Sequence, residues 1–155
     1  MKRPTLQEIG KVLDQARVAA VAYYELTGKP LGVTGEVGEY EAARLLDLTL
    51  ADARAPGYVA IDAKGRRFQI KTRAIPRSAR GKSQRLGSIK LDHDWDAVLL
   101  VLLDEGFQPL EIWEAGRPEI TAAIQAPGSR ARNERGALAV SKFKSIGAQV
   151  WPPLK

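Results

Sequence analysis

Three side chains in the stretch Gly57 to Arg73, GYVAIDAKGRRFQIKTR, could do chemistry together: the carboxylate of Asp62, the carboxamide of Gln69 and the ammonium of Lys71. A carboxylate and an amide oxygen leaning toward one another could share one small cation. Tyr58 to Asp62 and Arg67 to Arg73 are rich in β-branched and aromatic residues and flank Lys64-Gly65, which reads as a β-hairpin. With a two-residue turn, Asp62 pairs with Arg67, Ile61 with Phe68, Ala60 with Gln69 and Val59 with Ile70. Val59, Ile61, Phe68 and Ile70 then share the core face, and the period of two gathers Asp62, Gln69 and Lys71 on the other. Asp62 and Gln69 become diagonal neighbours roughly 7–8 Å apart at the backbone. A slip of one residue would carry Asp62 round to the apolar face.

A second acid belongs to the preceding element. Gly35 to Leu46 reads as a helix on which Glu39 lies over Ala42, Ala43 and Leu46, the apolar side, where an acid usually has a cation or metal for company. Glu36, one turn earlier on the same side, is its rival. Both also suit the positive N-terminal end of a helix, with no further role.

The net charge is +6, and most of it sits in one segment. Lys71, Arg73, Arg77, Arg80, Lys82, Arg85 and Lys90 follow one another with no intervening acid, leaving the rest of the chain close to neutral. A solvated loop is one reading of such a composition. A loop of this charge leaving the hairpin directly is better explained as a contact to a phosphate backbone, with Arg73, Arg77, Arg80, Lys82, Arg85 and Lys90 as the nucleic-acid-binding residues. Arg130, Arg132 and Arg135 form a smaller basic patch. Few aromatic residues are interleaved, so stacking on single-stranded bases is not indicated.

At 155 residues, 45% hydrophobic and 27% charged, the chain fits one globular domain, with a helix over 1–30 and a core over 31–155. Cysteine is absent, which excludes disulfides and thiolate sites and suits a reducing, cytoplasmic setting. The longest apolar run, Ala97 to Leu103, is too short to cross a bilayer, so no membrane partner is expected.

Thr5 and Glu8 form a capping box that opens a long N-terminal helix ending near Gly28. Leu6, Ile9, Leu13, Ala16, Ala20 and Tyr23 mark its apolar stripe. That stripe suits packing on the chain's own core, and its heptad-like spacing leaves open a homodimer built on this helix. Ala97 to Leu103 reads as a buried strand, and Asp104-Glu105-Gly106 turns it into a partner at Leu110 to Trp113. Pro118 opens a helix closed by Pro127-Gly128, and Ser141 caps a short helix closed by Gly147 before an extended piece at Gln149 to Trp151. His93, the single histidine, stands at a strand entrance and reads as a surface residue; no nucleophilic triad can be assembled.

Asp62, a short turn and Gln69-Ile70-Lys71 resemble the motif of the PD-(D/E)XK nuclease superfamily, in the variant with Gln at the second acid, similar to the Mrr-type branch. Ile61 stands where the family name has Pro. The resemblance implies an α/β, restriction-endonuclease-like core: a central mixed sheet flanked by helices, with the long N-terminal helix as an addition. It implies a divalent-metal-dependent DNA endonuclease acting on duplex DNA with Mg²⁺ or Mn²⁺. Asp62, Glu39, the Gln69 side-chain oxygen and the Ile70 backbone carbonyl would hold the ion, with Glu36 as alternate, and Lys71 would assist the attacking water. The competing expectation is a non-catalytic nucleic-acid-binding or assembly module that keeps the nuclease fold, for which neutral Gln69 is the best support.

Overall fold

The structure is a computed structural model, described over residues 2–52, 55, 57–76, 84–127 and 136–155. Helix α1 spans Leu6–Thr27 and α2 spans Thr34–Leu46. The capping box opens α1 as expected: the Glu8 N–H donates to Thr5 Oγ1 at 3.2 Å and the Thr5 N–H to Glu8 Oε2 at 2.7 Å. Gly28 closes the helix in the left-handed conformation with φ 68°.

Six strands follow in one sheet: β1 Thr49–Leu50, β2 Ala60–Ile61, β3 Arg67–Ala74, β4 Ala97–Leu103, β5 Pro109–Gly116 and β6 Ala148–Trp151, in that spatial order. Only β3 and β4 run parallel; every other neighbouring pair is antiparallel, so β2 and β5 oppose the other four. The fold is therefore α/β with a mixed sheet. β1 carries no apolar alternation of its own and was not legible in the sequence; it exists because Thr49 and Leu50 pair with Ile61 and Ala60.

Helices cover both faces. On one side α1 and α2 pack over Phe68, Ile70, Leu99, Val101 and Ile112. On the other, α3 (Arg117–Gln125) and α4 (Val140–Ile146) deliver Ile120, Ile124 and Phe143 onto Val98, Leu100 and Leu102. β4 is thus buried on both faces along its length, which is why it reads as an unbroken apolar run. α4 begins one residue before Ser141, and no side chain caps it.

α2 sits unusually close to β3. A Cβ at Gly38 would overlap the Thr72 side chain, so glycine sets that approach. The acid that α2 buries is Glu41 rather than Glu39: 2% exposed, it accepts from Arg17 of α1 and, at 2.6 Å, from Arg44. Opposite charges on the apolar faces of two adjoining helices, Arg17 and Glu41, were the sequence signal for this clamp. Among the described residues no helix is long and apolar enough to cross a membrane.

Candidate functional site

The hairpin forms, one residue out of the expected register. Ile61 pairs with Arg67 and Ala60 with Phe68, so the connection is the three residues 63–65. Gly65 adopts φ 81° and its N–H donates to Asp62 O at 3.0 Å, a turn closed by a left-handed residue that only glycine adopts freely. Val59 does not pair with Ile70. Its N–H reaches Phe68 O at 2.8 Å, placing Val59 and Ala60 together opposite one residue as a β-bulge. The two-residue turn assumed from Lys64-Gly65 missed this because the Asp62 side chain selects the longer one. Its Oδ1 accepts from the N–H groups of Lys64 and Arg66, both at 2.9 Å.

The slip separates the three polar residues. Ile61 now shares its face with Arg67, Gln69 and Lys71, while Asp62 turns to the Phe68 side. There its Oδ2 accepts from Arg66 Nε at 2.8 Å; Arg66 lies 5.0 Å over the Phe68 ring and reaches Glu114 at 3.2 Å. Glu114 pairs with Leu99, which belongs to the α1–α2 face. Asp62 and Lys71 therefore occupy opposite faces, contrary to the expected gathering. Burial works against the Asp62 carboxylate. The hydrogen bonds from Arg66 and Lys64 outweigh it and hold the group below the usual carboxylate range.

On the other face the Gln69 side-chain nitrogen donates to Gly57 O, tying β3 to the chain just before β2. Lys71 is half-buried, and its pKa is lowered by burial first and by the neighbouring Arg73 second. Arg67 is neutralised: its N–H and Nε donate to Asp96 Oδ2 at 2.8 and 3.3 Å. Arg73 is held by carbonyls instead, donating through Nε to Arg85 O and through a terminal nitrogen to Thr72 O at 3.1 Å. Arg85 in turn bridges to Ala139 beside α4. Lys71, Arg73 and Arg85 have no carboxylate partner among the described residues.

Residues 84–96 are not a solvated loop. Leu86, Ile89 and Trp95 are buried, and the Leu86 and Ile89 N–H groups donate to Leu138 O and Gly136 O at 2.8 and 3.1 Å. Lys90 stays exposed on this packed stretch. Arg117 fixes its end by donating to the carbonyls of Leu91, His93 and Trp95 and lying 4.5 Å over the Trp95 ring. Arg77, Arg80, Lys82 and the patch Arg130, Arg132 and Arg135 lie outside the described residues.

Glu39 is half-buried on α2, and its pKa is raised by burial and, less, by Glu36, which is exposed. The expected divalent-cation ligands do not fit one site as they stand. Asp62 lies across the sheet from Lys71 with both carboxylate oxygens occupied within its own turn, and Gln69 is engaged with Gly57. Compared with known proteins, the chain matches no family model and no curated relative.

Proposed function

We propose that the chain is a nucleic-acid-binding α/β domain of restriction-endonuclease-like architecture that grips the phosphate backbone of duplex DNA through one face of β3. The observation that carries this is the linked set Lys71, Arg73 and Arg85. These are three cations without a carboxylate partner among the described residues, one of them made costly by burial, on the strand that leads into Arg77, Arg80 and Lys82. A half-buried ammonium facing like charge is relieved by an anion, and a phosphodiester supplies one at each step along DNA.

A second reading, a divalent-metal-dependent DNA endonuclease using Mg²⁺ or Mn²⁺, is favoured by one observation. Glu39 and Lys71 are each moved toward neutrality by burial, as groups that handle protons often are, although α2 packs on the face of β3 opposite Lys71. The two readings separate on supercoiled plasmid incubated with Mg²⁺ or Mn²⁺ and, in parallel, with EDTA. The binding domain retards the plasmid in all three conditions and leaves it uncut. Metal-dependent nicking abolished by Glu39→Gln and by Lys71→Met would replace it with the enzyme.

A further inference from the structure

The long α1 helix carries two apolar stripes, and the fold uses one. Leu6, Gly10, Leu13, Arg17 and Ala20 turn inward: Gly10 lies against the Tyr40 ring, Arg17 pairs with Glu41, and Ala20 is fully buried. The second runs Ile9, Val12, Ala16, Ala19, Tyr23 and Leu26, a strict alternation of three and four residues along the helix. Val12 is 65% exposed, Tyr23 39% and Leu26 86%, so the chain leaves this face largely uncovered. The expected single stripe had mixed members of both.

We propose that a second copy of this chain covers the stripe, with the two α1 helices antiparallel about a two-fold axis between residues 17 and 18. The stripe is self-complementary about that point. Ile9 meets Leu26 of the second copy, Val12 meets Tyr23, and the small Ala16 and Ala19 meet at the centre, where they let the helices approach closely. The charges beside the stripe match in this direction only. Glu8 in the first turn and Lys29 just past the Gly28 cap flank it at opposite ends, so antiparallel pairing sets Glu8 of each copy beside Lys29 of the other. Parallel pairing sets each beside itself. Within Leu6–Thr27 the helix carries Glu8, Asp14 and Glu25 against Lys11 and Arg17, with Arg17 buried against Glu41, so it offers an anionic lipid surface or a nucleic acid no cationic face.

Sedimentation equilibrium of the full chain tests this, with variants on and off the stripe. The wild type is a dimer; Ala19→Glu combined with Leu26→Glu makes it a monomer, and Lys29→Glu weakens it in a salt-dependent way. Val18→Glu, at a site 73% exposed on the same helix but off the stripe, leaves the dimer intact. Because the chain has no cysteine, orientation reads directly. Val12→Cys mixed with Tyr23→Cys cross-links on oxidation, and Val12→Cys alone does not. A wild type monomeric at every soluble concentration, a dimer indifferent to the stripe variants, or cross-linking of Val12→Cys with itself would each overturn the proposal.

Discussion

Replacing Glu41 by Gln should loosen α2 from α1 more than any exposed substitution on either helix. Glu41 is 2% exposed and Arg17 9%, so the change removes the buried countercharge from a nearly buried guanidinium and leaves it only the exposed Asp14, at 3.1 Å. Breaking a buried pair from one side costs roughly 3–5 kcal/mol. For a chain of this length about 2–4 °C is lost per kcal/mol, giving a fall in Tm of roughly 6–20 °C. Arg44, whose side chain is 48% exposed, serves as the control: Arg44→Ala should cost under about 1 kcal/mol. The double variant Arg17→Met, Glu41→Leu should regain most of the loss, since Arg17 Nε has no hydrogen-bond partner and the pair is not fully satisfied. Thermal unfolding followed by circular dichroism decides it. A Glu41→Gln loss no larger than that of Arg44→Ala would refute the claim that this clamp docks the helices.

Other substitutions probe the sheet and its hairpin. Gly38→Ala forces a methyl into Thr72, and the strain of overpacking should cost about 1–3 kcal/mol in urea titration; an unchanged midpoint would mean that α2 is free to lift off β3. Asp62 has a folded pKa below its unfolded value of 3.8, so its hydrogen bonds stabilise the fold above that pH and are lost as pH falls through the folded pKa. Wild type and Asp62→Asn should therefore differ in Tm near pH 6 and converge toward pH 2, and a gap constant with pH would show that the carboxylate is not the source. Lys71 has a lowered pKa, so its charge opposes folding and stability gains as pH rises through the folded pKa. Lys71→Met should melt no lower than the wild type at neutral pH.

Elements with strong local signals were legible in the sequence. The capping box, the all-apolar β4, the turn after it and the proline at the start of α3 each depend on neighbours in the chain, and each stands where expected. The hairpin's existence was legible and its register was not. The apolar pattern allowed Phe68 a partner at Ile61 or at Ala60, and the choice fell to hydrogen bonds from Asp62 into its own turn, with a bulge at Val59 absorbing the shift. That one residue decided where Asp62 stands relative to Lys71. Glu41 was missed for a related reason: Glu39 and Glu41 are both acids on one helix, and only the position of Arg17 on α1 selects between them. Neighbours distant in sequence carry such decisions, and spacing alone does not contain them.

The salt dependence of binding to a short DNA duplex, followed by fluorescence anisotropy, tests the assignment of β3 most directly. Each phosphate contact contributes about 0.9 to the slope of log affinity against log salt. Lys71→Met and Arg73→Met should each weaken binding and flatten the slope by about that amount, while Asp62→Asn on the opposite face leaves both unchanged. The fold should survive the Lys71 change with its Tm undiminished, separating a lost contact from a lost structure. Slopes identical to the wild type in both β3 variants would contradict the account, since DNA would then bind somewhere other than this face.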